Sequence, residues 1–216
     1  MKAKPKLTYL PVLIDMEKFN CLVVGGDLTA FNKVKRLLDF GASITVMATT
    51  YCPEMQELFK SKKVKVIKKS YEPEDVLGYN LVFAATGNIE IDEMLQRDCE
   101  EANIMINVSD VPRLCSFILP ATIIRGDITI SIGSQGNAPF YTKALEDYID
   151  SFLSPFVSDV ADLAAEFRFK MFEKEIYHDE TKRNELIEKF IKNNWEMDFY
   201  KLGRDATYKK MNEMFE

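Results

Sequence analysis

The apolar positions of this chain follow two rhythms that alternate through its first half. Short apolar runs at 21–24 ("CLVV"), 43–47 ("SITVM"), 64–67 ("VKVI"), 80–85 ("NLVFAA") and 104–108 ("IMINV") have the length and composition of buried strands. Between the first two, Ala30, Val34, Leu37 and Leu38 recur at i, i+4, i+7 and i+8, one face of a helix that Gly41 is placed to end. Ile91, Leu95, Cys99 and Ala102 draw a similar face ahead of the fifth run. Strand, helix and strand in repetition predict parallel βα units and an α/β fold with a doubly wound parallel sheet.

After residue 112 the rhythm changes. "LCSFILPATIIRGDITISIG" predicts two β-rich runs about a turn at Arg125-Gly126-Asp127, with Pro120 marking an edge or a bend. The second run leads into "GSQGNAPF", where Pro139 suits the first turn of a helix and Asn137 suits its N-cap. Phe156, Val160, Leu163, Ala164, Phe167 and Met171 then outline a long amphipathic helix, and Leu186, Ile187, Phe190 and Ile191 a further one. The boundaries read from these changes are 1–112, 113–150 and 151–216.

Composition narrows the function classes. The 216 residues are 47% hydrophobic and carry a formal charge of −6, which argues for a well-cored globular chain and against a nucleic-acid partner. No apolar run reaches the ~18 residues of a membrane span and the N-terminus lacks a signal-peptide pattern, so a cytoplasmic location is expected. Cys21, Cys52, Cys99 and Cys115 are scattered and His178 is the one histidine, so no metal site is expected.

Ligands of a doubly wound sheet sit beyond the carboxyl ends of its strands. The candidates there are the turn Gly25-Gly26-Asp27 with Leu28, the loop holding Thr86 and Gly87, and Asn107 and Val108 ahead of Asp110. Asp110 follows the fifth strand directly and is the candidate catalytic carboxylate, although an Asx turn into Val111-Pro112 would use the same residue. The "GSQGNAP" loop, with Ser134 and Gly136, is a candidate anion cradle at a helix start, and a plain capped helix reads equally well.

Taken in order, "LPVLIDMEKFNCLVVGG", "FAATGN", "INVSD", "SFILPA" and "GSQGNAP" resemble the siroheme synthase family, the precorrin-2 dehydrogenases and sirohydrochlorin ferrochelatases, from about Leu10 to Ile149. The resemblance implies a Rossmann-type NAD-binding domain, a small β-containing dimerisation module, a helical C-terminal domain and a homodimer acting on a tetrapyrrole. It implies that precorrin-2 loses a hydride to NAD and a proton to a base, giving sirohydrochlorin, and that some members then insert ferrous iron. The family's aspartate matches Asp110 and its loop serine matches Ser134. A substrate with many carboxylates would draw on Arg113, Arg125 and Lys143, with Ser116, Ser134 and Gly136 beside them.

Two departures qualify this. Where the family has three consecutive glycines this chain has Gly25-Gly26-Asp27, and it has Asn32 at an often basic position, while Lys33 is kept. A carboxylate about 4 Å from a phosphate costs roughly 4 kcal/mol at an effective dielectric of 20, yet Asp27 is also a good N-cap for the amides of Thr29 or Ala30. A chelatase with impaired NAD binding and a non-catalytic NAD-sensing module are therefore the alternatives. No acidic residue closes the second strand, "ITVMATT", which leaves NAD and NADP both open.

Overall fold

The computed structural model describes residues 9–216. The chain divides into two compact units, one running to Leu119 with Gln135–Asn137 added, the other made of Pro120–Ser134 and Ala138–Glu216.

The first unit alternates strand and helix as the pattern predicts: β1 (Asn20–Val24), α1 (Leu28–Leu38), β2 (Ser43–Met47), α2 (Pro53–Lys60), β3 (Lys65–Ile67), β4 (Leu81–Ala84), α3 (Ile89–Glu101) and β5 (Met105–Val108). The five strands form one sheet in the order β3-β2-β1-β4-β5, and every neighbouring pair is parallel. This is a Rossmann-type sheet, whose strand order reverses between β1 and β4.

Successive residues of a strand face opposite sides, and here both sides are covered. Cys21 and Val23 of β1 share one core with Val46, Phe83 and the inner row of α1, Ala30, Val34 and Leu37. Leu22 and Val24 share the other with Val82, Ala84, Ile106 and the α3 residues Leu95 and Cys99. A side chain as fully buried as Leu22 or Phe83 contributes roughly 1.5–3 kcal/mol by leaving water. Gly41 ends α1 in the left-handed region at φ +74°, which lets the next amide, that of Ala42, return to the Leu37 carbonyl at 3.3 Å.

The second unit begins with an antiparallel hairpin, β6 (Ala121–Arg125) and β7 (Ile128–Ile132), turning at Gly126. It continues through α4 (Pro139–Phe152), α5 (Val157–Glu173), α6 (Glu180–Lys192), α7 (Trp195–Leu202) and α8 (Arg204–Asn212). Leu163, Phe167 and Met171 of α5 form its core with Phe190, Trp195, Phe199 and Met211.

Two expectations are corrected. Ile191 does not join the apolar face of α6 and is 73% exposed, because Leu186, Ile187 and Phe190 already face the core and the next residue rotates about 100° away. The N-cap of α4 is Ala138 and not Asn137: Pro139 occupies the first turn, and the Ser134 hydroxyl accepts a hydrogen bond from the Ala138 amide at 3.0 Å. Among the described residues, no helix is long and apolar enough to cross a membrane.

Candidate dinucleotide cleft

The glycine turn is shaped first by the strands beside it. A Cβ on Gly25 would lie 2.1 Å from the Ala85 carbonyl oxygen, and one on Gly26 would lie 1.9 Å from that of Thr50. Both glycines are therefore required before any ligand is considered. The Gly25 amide donates to the Met47 carbonyl at 2.9 Å, and the Cys52 amide donates to the Gly26 carbonyl at 2.6 Å. The turn is thus tied to the end of β2 and to the loop that follows it.

Asp27 is the N-cap of α1, and its Oδ1 accepts from the Ala30 amide at 2.9 Å. Asp27 thus caps the helix and also lines the cleft. The amides of Leu28 and Thr29 precede the first intrahelical bond, Phe31 to the Asp27 carbonyl, and so have no partner within the helix.

The cleft has a volume of about 500 Å³, within the range of small-molecule sites. Gly25, Gly26 and Asp27 form one wall, Thr49 and Thr50 continue from β2, Lys69 to Tyr71 follow β3, and Ala85 and Thr86 follow β4. It lies at the carboxyl ends of β1, β2 and β4, where the strand order reverses. Gly25, Gly26, Asp27 and Thr86 are thus brought together as the sequence predicts. Leu28 stands half-exposed as the first residue of α1, and Gly87 turns the chain at φ +69° just past Thr86.

Asn107 and Val108 have another position. Both are buried in β5 and neither lines the cleft. The Asn107 side chain accepts from Lys33 Nζ at 2.8 Å and donates to the Phe117 carbonyl at 3.1 Å, while the Val108 amide donates to Cys115 Sγ at 3.1 Å. Burial pulls the Lys33 ammonium below its ordinary value, and Cys115 and the Asp110 carboxylate push it the other way. Lys33 also stands 5.9 Å from the centre of the Phe83 ring. The sequence does not announce this role, because it depends on a contact between residues 74 positions apart.

Asp110 is exposed immediately after β5, with φ +60°, a left-handed conformation that aspartate tolerates better than most residues. Among the described residues, no hydrogen bond reaches its carboxylate. The other candidates all have protein partners. Arg113 pairs with Glu93 at 2.6 Å, Arg125 with Asp150, and Lys143 with Glu146 and Asp147 at 2.9 and 3.1 Å. The Ser116 hydroxyl accepts from the Ile106 amide at 2.7 Å and donates to its carbonyl at 3.2 Å. Gly136 has φ +75°, and a Cβ there would press on Pro112 at 3.3 Å. No group of three or more His, Cys, Asp or Glu among the described residues is placed to hold a metal ion.

Asp92 is a site-proximal carboxylate that the sequence reading passes over. It is buried on the inner face of α3, and its Oδ1 accepts from the Thr86 hydroxyl at 2.7 Å. Burial raises its pKa above the usual carboxylate value, opposed by the bonds from Thr86.

The match to a known family falls on this first unit. Residues 12–121 match the family described as "Putative NAD(P)-binding", and the chain belongs to that family. The resemblance to the siroheme synthases is also borne out. The chain is 35% identical over 162 residues to a siroheme synthase of Vesicomyosocius okutanii and 34% identical over 168 residues to one of Ruthia magnifica, covering 75% and 78% of this chain. Against that of Blochmanniella pennsylvanica it is 31% identical over 95% of its length. The chain spans only 35%, 36% and 42% of those relatives. A solved structure titled SirC, precorrin-2 dehydrogenase, shares the fold with a TM-score of 0.75 at 20% identity, covering 95% of this chain and 100% of that one.

Proposed function

We propose that this chain is an NAD-dependent precorrin-2 dehydrogenase, forming sirohydrochlorin on the way to siroheme. The observation that carries the reading is the pairing, within one Rossmann unit, of a cleft at the strand-order reversal with an exposed carboxylate after β5. Kinship with the siroheme synthases supplies the substrate class. The nicotinamide, when bound, supplies a hydride acceptor.

The residues present fit such a cofactor: the cleft is large enough, and the start of α1 offers the Leu28 and Thr29 amides to a pyrophosphate. The chain's own residues then divide the work. Asp110 takes the proton that balances hydride loss, so the substrate gives up two electrons and two hydrogens, one as hydride and one as a proton held on the carboxylate. Asp92 holds the Thr86 loop, and Lys33 fixes Asn107 beneath the end of β5. Arg113, Arg125 and Lys143, with Ser116, Ser134 and Gly136, are the proposed contacts for the carboxylate-rich tetrapyrrole. Each of the three cations must exchange or share its present acidic partner.

A homodimer in the cytoplasm is part of the proposal. The β6–β7 hairpin is a two-stranded sheet whose outer edges pair with no further strand among the described residues, which leaves them open to pairing with a second copy. On α4, Phe140, Tyr148 and Phe152 are 79%, 62% and 71% exposed, an apolar surface suited to a second copy. Light scattering should give twice the chain mass.

Asp27 favours a second reading, a chelatase without oxidase activity, because its carboxylate stands where the pyrophosphate would approach α1. Anaerobic incubation with precorrin-2 separates the two. The dehydrogenase reading expects sirohydrochlorin only when NAD is added, and no product in either case would exclude it. Iron uptake by sirohydrochlorin in the same preparation reports chelation.

A further inference from the structure

We propose that Cys115 is a positioning residue for Asp110, its thiol clasping both ends of the turn that carries the carboxylate. The inference rests on the reading of Asp110 as the base.

β5 is an outer strand of its sheet, so the backbone groups along its free side need partners that no further strand supplies. Cys115 and Ser116 supply them. The Ser116 hydroxyl accepts from the Ile106 amide at 2.7 Å, and the Ser116 amide donates to the Ile106 carbonyl at 2.9 Å. Two residues further along the same edge, Cys115 Sγ accepts from the Val108 amide at 3.1 Å and lies 3.2 Å from the Val108 carbonyl. The same sulfur lies 3.5 Å from the Val111 carbonyl. Val108 precedes the turn and Val111 follows Asp110, so one atom bridges both sides of the segment on which the base sits. Burial holds the Cys115 thiol above its ordinary pKa, so Sγ keeps a proton for one carbonyl or the other while it accepts from the amide.

The Asp110 carboxylate has no hydrogen bond of its own among the described residues, so its direction is set by the backbone, held at φ +60°. Three ties fix that backbone. On the inner side the Ser109 amide donates to the Ala84 carbonyl at 2.9 Å. Beyond Asp110 the Leu114 amide donates to the Val111 carbonyl at 3.0 Å, with the Leu114 side chain buried in the core beneath. On the outer side the tie is Cys115 Sγ, and it alone joins the strand end to the residue after the base. A serine hydroxyl at this position offers the same donor and acceptor at shorter reach, and a methyl group offers neither.

The test is steady-state oxidation of precorrin-2 by the full chain beside calorimetric titration of NAD. Cys115→Ala should lower kcat about tenfold or more, because a small misplacement of a reacting group is costly, while KM for precorrin-2 and the NAD dissociation constant stay within about threefold. Cys115→Ser should bring kcat back to within about threefold of the parent, at under 1 kcal/mol of difference. In Asp110→Asn, adding Cys115→Ala should lower the residual turnover no further, since a residue that acts through the carboxylate has nothing left to position. Parental kcat in Cys115→Ala would overturn the inference. So would a loss as large in Cys115→Ser, or one that recurs in full on the Asp110→Asn background. Parental turnover in Asp110→Asn would instead remove the reading of the base itself, and the inference with it.

Discussion

The carboxylate of Asp92, buried on α3, accepts a hydrogen bond from the hydroxyl of Thr86 at the mouth of the cleft, 2.7 Å away. A carboxylate so placed has its protonated form favoured by burial. The folded chain therefore holds this proton more tightly than the unfolded chain does. Its contribution to stability is fully present below the unfolded carboxylate value and is lost as pH rises through the raised folded value. Around neutral pH the charged Asp92 is a cost to folding.

Asp92→Asn, which keeps the acceptor for Thr86, should accordingly raise the urea midpoint at about pH 7 and change it little below about pH 4. A parallel shift of the whole pH profile would count against the assignment.

Asp110 links backbone conformation to chemistry. Its left-handed φ of +60° is a strain that glycine would relieve. Asp110→Gly should therefore leave stability unchanged or raise it by up to about 1 kcal/mol, while dehydrogenation falls at least about a hundredfold. Asp110→Asn, which also tolerates this conformation, should lose activity with the stability within about 0.5 kcal/mol of the parent. Urea unfolding beside steady-state turnover decides it, and parental turnover in either variant would remove Asp110 as the base.

Gly26 and Gly87 should respond differently to the same substitution. Gly26→Ala puts a Cβ 1.9 Å from a carbonyl oxygen, whereas Gly87 has nothing within 4 Å and only its φ of +69° to resist alanine. The first should cost roughly 2–4 kcal/mol through forced displacement of the Thr50 loop, the second about 1–2 kcal/mol from backbone strain alone. Chemical denaturation of the two variants measures both.

The sheet was legible because β1, β2, β4 and β5 are buried along nearly all their length and read as largely apolar runs, while the edge strand β3 leaves Lys65 and Val66 exposed. β2 lies where the pattern put it, at 43–47, and the other strands differ by one residue or so at their ends. The cap on α1 was legible too, since Asp27 acts through a residue three positions away. Contacts between distant elements were not. Asn107 looks like a cleft residue until Lys33 reaches it from α1, and Asp92 looks like a solvated helix residue until α3 turns it inward with Leu95 and Cys99. Lys143, by contrast, pairs with Glu146 and Asp147 three and four positions further along its own helix, a spacing the sequence itself carries.

Dinucleotide binding in spite of Asp27 is tested most directly by the NAD dissociation constant of the parent beside that of Asp27→Asn. Asparagine caps a helix about as well as aspartate, so the substitution removes the charge and keeps the cap on Ala30. Binding in the parent should be saturable and weak. In the variant it should be at least about tenfold tighter, up to the roughly thousandfold of an unrelaxed contact near 4 Å, with the gain shrinking as salt is added. Melting temperatures should coincide. No NAD binding by either protein, or equal affinities within about threefold, would contradict it.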